Sequence, residues 1–243
     1  MYKVKKGVFM NPKLYGTEHL IYIATSLIIA FLTIFLSKKF LKEEKQQTIL
    51  IKIMALILFL TIFFNRIALV FEYEKPTWSK LLTDSFCSTS SYVLSLSLLF
   101  GKKNNIVLHF VWLISLVGGV VVTFYSDFIG QNPSFLYPPT ILGMIHHTLS
   151  ALVVIVMLMF KYVHITYKKS YVVLFGFAGY FLLGLFMKHV FNYSNPFYMY
   201  GPAISNTPLT VWVLAPIYIV GYSIIIFVIE IIRKYKSKKE TLS

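Results

Sequence analysis

The sequence predicts an all-α polytopic membrane protein, a single bundle of about seven transmembrane helices, and three observations lead there. Its 243 residues are 57% hydrophobic and only 13% charged, with a mean hydropathy of +0.72. That leaves too little polar surface to cover a soluble globule. Seven stretches approach the roughly 20 apolar residues that a helix needs to cross the hydrocarbon core. The Lys and Arg residues sit almost entirely between those stretches, as in loops and tails flanking membrane spans.

The spans are expected at about 18–37, 49–72, 82–100, 106–125, 140–160, 170–191 and 209–232. The basic start "MYKVKK" resembles a signal peptide. The apolar run after it ends in "SKKF" with no small-residue cleavage site, so it reads as a retained first helix. The first, second, fifth and seventh spans are strongly apolar. The third, "LLTDSFCSTSSYVLSLSLLF", is the weakest because its first half is polar, and the outer half of the sixth is also less apolar; six spans is the alternative count. No soluble domain fits between the spans and no internal repeat or low-complexity tract interrupts them, so residues 1–243 form one domain. A single Cys excludes an intramolecular disulfide framework.

The net charge of +14 suggests nucleic acid at first, but its distribution is that of a membrane protein and no nucleic-acid role follows. Outside the spans, one side holds six Lys (Lys3, Lys5, Lys6, Lys13, Lys75 and Lys80). The other holds fourteen Lys and Arg, around 38–45, 102–103, 161–169 and 233–239. This bias places the N-terminus outside and the C-terminus in the cytoplasm. The loops 126–139 and 192–208 carry no Lys or Arg, which fits outside loops, and their Pro, Asn, Tyr and Phe suit a partly ordered lid at the interface.

Ionisable groups inside a membrane segment are expensive and usually face the bundle interior. His19 opens the first span, Arg66 lies in the outer third of the second, and Asp84 and Cys87 open the third. His146 and His147 lie two turns into the fifth; Lys188, His189 and Asn192 close the sixth. At 1.5 Å per residue, Arg66, Cys87 and His147 fall at a common depth of roughly 8–10 Å. On the third span Asp84, Cys87, Ser88, Ser91 and Ser95 follow the i, i+3, i+4, i+7 spacing of one face. Small polar residues of this kind also serve plain interhelical packing. A thiol sharing a layer with His, Arg and Asp has the neighbours that turn a cysteine into a nucleophile. His146 and His147 point about 100° apart, so only one of them can face that stripe squarely.

"YGTEHL", the FCS of "DSFCSTSS", "GGVVVTFYSDFIGQNP", "MIHHTLSALVV" and "FNYSNPFYMYGP" occur in an order and spacing that resembles the YwaF-type bacterial integral membrane proteins. That family is distantly similar to a eukaryotic transmembrane acyltransferase that moves fatty acyl chains between phospholipids through an essential cysteine. The resemblance runs from about His19 to Pro216. It implies a bacterial cell membrane, Cys87 as the helix 3 cysteine, His147 as the helix 5 histidine, and His19, Asp127 and Asn192 as further matching positions. The family's His two residues before the cysteine is replaced by Ser85.

The expected function is a membrane-embedded lipid acyltransferase or transacylase. In that reading Cys87 attacks an ester carbonyl, His147 moves the proton, and His19, Arg66, Asp84, His146, Lys188, His189 and Asn192 form the supporting polar layer. Its partners are membrane lipids, and no cofactor is expected. The alternative is a small-molecule carrier or the substrate-binding membrane component of a transporter. A retinal protein is set aside because the seventh span, "LTVWVLAPIYIVGYSIIIFVIEII", lacks a lysine. A metal site is set aside because no HxxxH or CxxC spacing occurs.

Overall fold

A computed structural model describes residues 14–72, 75–125, 134–203 and 206–240. These residues fold into seven α-helices, with no strand among them. The helices are α1 (Thr17–Phe40), α2 (Glu44–Val70), α3 (Phe86–Phe100), α4 (Ile106–Phe124), α5 (Pro138–Met159), α6 (Val172–Phe191) and α7 (Val211–Glu240). Short 3-10 turns occupy Trp78–Leu81, Tyr167–Lys169 and Pro196–Tyr198.

Six of the helices are long and apolar enough to cross a membrane, and α3 is the exception. Its 15 residues reach about 22 Å, short of a hydrocarbon core of about 30 Å. The polar entry explains the shortfall. Ser85 caps α3 by accepting the Ser88 amide, and the Thr83 hydroxyl bonds that of Thr89 at 2.7 Å. Side chains that satisfy backbone groups this way start a helix late and keep the preceding residues out of it. Both sequence counts therefore have a counterpart: seven helices form the bundle, and six are full-length spans.

Helices α2, α3, α4 and α5 pack on one another and form the centre. Their facing sides supply Ala55, Leu58, Ile62, Leu94, Leu98, Leu108, Val111, Val154 and Met157, all inaccessible to solvent. Helix α1 leans on α5 and buries only His19 and Ser37, so most of its apolar surface is left to lipid. Helix α6 packs on α4 and on the Pro196–Tyr198 turn; α7 packs on α6 and on the Tyr167–Lys169 turn. Pro216 lies inside α7, a position tolerated in membrane helices because neighbouring groups re-satisfy the freed backbone.

The adjacent Gly118 and Gly119 let α4 wedge between α3 and α5. A Cβ on Gly118 would stand 2.5 Å from the Cys87 sulfur, and one on Gly119 would run into the His147 carbonyl oxygen. Small residues at such crossings let membrane helices approach backbone to backbone.

Candidate functional site

The site begins at the first turn of α3. Ser85 is the N-cap and Cys87 is the second helical residue, where free backbone amides and the helix dipole favour negative charge. Cys87 is the chain's only cysteine and its thiol is free and half-buried. The sulfur rests on Gly118 of α4, with the hydroxyls of Tyr180 and Tyr198 in electrostatic reach.

One residue further, α3 turns to a different environment. The Arg66 guanidinium donates to the Ser88 hydroxyl at 3.3 Å and stands 4.0 Å from the Asp84 carboxylate. His146 and His147 both feel the Arg66 charge, and their rings lie 4.1 Å apart at 34°. Arg66, His146 and His147 are all buried. Arg66 is thus the centre of a group with Ser88, Asp84, His146 and His147, while the Cys87 sulfur faces Gly118 instead.

The layer is incompletely paired. Arg66 Nε, His146 Nε2 and His147 Nδ1 are buried with no hydrogen-bond partner. His146 Nδ1 donates to the Leu142 carbonyl of its own helix at 3.2 Å. In the neutral ring this leaves Nε2 as an acceptor with a free lone pair. The Cys87 thiol has no hydrogen bond to either histidine, so a thiol–imidazole pair is not preformed. The two are separated by the α4 glycine wedge, which touches the Cys87 sulfur with one face and the His147 backbone with the other.

The other residues singled out from the sequence lie elsewhere. His19 is buried between α1 and α4. Its Nε2 donates to the Thr123 carbonyl at 3.0 Å while its Nδ1 accepts the Tyr15 amide at 3.2 Å, so one ring nitrogen ties α1 to α4 and the other holds the turn that leads into α1. Lys188 is half-buried with its ammonium 5.0 Å from the Tyr200 ring centroid. His189 is exposed. Asn192, also exposed, ends α6 in the left-handed conformation (φ 54°), which asparagine tolerates better than most residues. Asp127 lies outside the described residues.

Several residues around the thiol carry no motif of their own. After Asn192 the chain re-enters the bundle, and Phe197 becomes fully buried. Its ring stacks on Tyr180 (5.4 Å, 17°) and meets Phe86 edge-on (5.4 Å). Its amide donates to the Asp84 carbonyl at 2.7 Å. Phe197 and Tyr198 hold this turn with φ of 52° and 57°, a conformation strained for bulky residues and kept only where surrounding contacts fix it. The expected lid is therefore, over residues 192–203, a plug: Phe197 closes the end of α3 beside Cys87.

A family model described as the TMEM164 family matches residues 14–232. The chain belongs to the TMEM164 family. The match runs from the start of α1 nearly to the end of α7, so it takes in the thiol, the arginine layer and the plug of this TMEM164 family member. No curated protein and no solved structure matches the chain. Among the described residues, no three His, Cys, Asp or Glu side chains gather as metal ligands would.

Proposed function

We propose that this multi-pass membrane protein transfers acyl chains between lipids, with Cys87 as the nucleophile and His147 as the proton carrier. The reading is carried by one observation: the only thiol opens a helix one residue from a buried arginine and histidine layer whose polar atoms are not all paired. It agrees with the motif resemblance to YwaF-type proteins and, more distantly, to a transmembrane phospholipid acyltransferase.

In the proposed reaction the Cys87 thiol gives its proton to His147 and the sulfur attacks the ester carbonyl of a phospholipid. A carbon–sulfur bond forms, the carbon–oxygen bond breaks, and the leaving alkoxide takes the proton from the imidazolium. An acceptor hydroxyl then attacks the thioester, transfers its proton to His147 and takes the acyl chain, and the thiol is restored. Free amides in the first turn of α3 suit the oxyanion. Arg66, whose Nε has no partner, suits the lipid phosphate. Because no thiol–imidazole bond is preformed, the mechanism requires the Cys87 and His147 side chains to turn toward each other past the α4 glycines when lipid enters. Apo geometry of this loose kind is common in enzymes that tighten around substrate.

The test is labelling of the purified protein in nanodiscs by a fluorescent acyl probe that forms a thioester, comparing wild type with Cys87→Ser and His147→Ala. The expected result is labelling lost in the first variant and strongly slowed in the second. Labelling indifferent to His147 would remove the histidine from the mechanism, and no labelling at all would remove the enzyme.

A second reading has its own support. Three unpartnered buried polar atoms, a donor at Arg66 Nε and an acceptor at His146 Nε2 among them, also describe a binding layer for a polar small molecule that both accepts and donates, as a carrier would have. There Cys87→Ser keeps function, because a hydroxyl preserves the polar contact.

A further inference from the structure

At the opposite end of the bundle, where α3 and α5 finish and α4 begins, the chain forms a second concavity. It is a groove of about 590 Å³ lined by Trp112, Leu158, Val163, Ile165 and Ile229, with Lys161, His164 and Arg233 completing the lining. The floor is apolar: Trp112, Val163 and Ile165 are buried. Lys161, His164 and Arg233 are exposed.

The groove is built rather than incidental. Asn104, in the left-handed region (φ 58°), ties the α3–α4 connection to the turn after α5. Its amide donates to the Tyr162 carbonyl at 3.0 Å and its Oδ1 accepts the His164 amide at 3.0 Å. Arg233 donates through Nη1 to the Ile165 carbonyl at 2.5 Å, which fixes its guanidinium over the groove and leaves Nε and Nη2 to be used. Among the described residues, no carboxylate lines the cavity. The nearest acid on α7, Glu230, accepts the Tyr167 amide at 2.7 Å.

From this geometry we infer that the groove is a binding site for an anionic phospholipid, its phosphate held by Lys161 and Arg233 and one acyl chain laid along Trp112, Leu158 and Ile229. Positive charge scattered over loops would need no such explanation, since membrane proteins carry it anyway. Here an arginine is immobilised at the mouth of an apolar slot whose lining has no negative charge. A zwitterionic lipid would offer the same phosphate, but its ammonium would sit beside the two cations with no carboxylate to receive it. An anionic headgroup matches the cations while its chain matches the floor, the pattern expected of basic pockets between membrane helices. The site is independent of Cys87 and of the acyl-transfer reading.

The test uses the full chain with Trp78→Phe and Trp212→Phe, so that Trp112 is the only indole, in nanodiscs containing brominated phosphatidylglycerol or brominated phosphatidylcholine at equal mole fraction. The expected result is stronger quenching of Trp112 by the anionic lipid, lost in Lys161→Asn/Arg233→Gln and kept in Arg233→Lys. Asn suits position 161, which is itself left-handed (φ 53°). Native mass spectrometry of the otherwise wild-type chain provides the second measurement. Retention of phosphatidylglycerol should fall about tenfold or more when both charges are removed. Equal quenching by the two lipids, unchanged retention in the double variant, or displacement of the lipid by inorganic phosphate alone would each overturn the assignment.

Discussion

Two polar clusters pack against α5 and differ in how completely they are bonded. The first joins α1 to α4 and α5. The Tyr22 hydroxyl meets that of Thr148 at 2.7 Å, Thr148 meets Thr123 at 2.8 Å, and Thr123 donates to the Gly119 carbonyl at 2.7 Å. Each of the three hydroxyl protons has an acceptor, Thr148 having both Thr123 and the Met144 carbonyl within reach, and His19 completes the seam with both ring nitrogens satisfied. The second cluster, around Arg66, His146 and His147, leaves three buried polar atoms unbonded. Buried groups in hydrocarbon are expensive unless paired. A saturated network therefore reads as joinery between helices, and an unsaturated one of the same residue types reads as a place for something else to bind.

The largest expected effect separates the clusters by function. His147→Leu should slow acyl-probe transfer by about 10²–10⁴-fold, the usual contribution of a general base. Its thermal stability should stay level or rise, because the substitution removes a buried unpartnered nitrogen. A marked fall in melting temperature without a change in transfer would make His147 a packing residue and collapse the contrast.

Next comes the wedge between the clusters. Gly119→Ala should destabilise by about 1–3 kcal/mol, because the new methyl meets the His147 carbonyl oxygen and Ala151, and a helix backbone cannot step aside. Gly118→Ala should cost less, since its obstacle is the Cys87 sulfur, a side-chain end that can rotate. Thermal denaturation of both variants, each with and without Cys87→Ala, checks the assignment. Only the Gly118 variant should be rescued.

Much of this could be read from the residues alone, and the parts that could not share a cause. The helices follow from apolar length and loop charge, which are local properties. The meeting of Arg66 with His146 and His147 follows from counting depth along each helix, so one dimension was enough. Rotation about each helix axis was not legible. Cys87 and Ser88 are neighbours in sequence, yet one faces the glycine wedge and the other faces Arg66. Depth also could not tell His19, saturated by two backbone groups, from His146, because the partners are backbone atoms that no side-chain pattern reports. Phe197 was missed for a related reason. Its loop looked like an interfacial lid by composition, and only the left-handed turn at Phe197 and Tyr198 drives it into the bundle.

On the saturated seam, His19→Leu should be the mirror of His147→Leu. It leaves the Thr123 carbonyl without its donor and the Tyr15 amide without its acceptor, at a cost of about 1–2 kcal/mol. The folded fraction should keep full transfer. A loss of transfer at unchanged stability would bring His19 back into the reaction.

The smallest effect tests the direction of the hydroxyl chain. Tyr22 heads it, because Thr123 spends its proton on the Gly119 carbonyl and Thr148 then has Thr123 or the Met144 carbonyl to serve. Tyr22→Phe removes one donor and leaves every remaining proton with an acceptor, so it should cost only about 0.6 kcal/mol, the average for hydrogen bonds between membrane helices. Thr148→Val cuts the chain in the middle and leaves the Tyr22 hydroxyl with Ser26 alone, so it should cost more than Tyr22→Phe. In the double variant the two costs should not add, because the second substitution removes a hydroxyl that has already lost its Thr148 partner. Additive costs in a double-mutant cycle would mean that Tyr22 and Thr148 act separately, and the seam would then be a set of single bonds instead of a network.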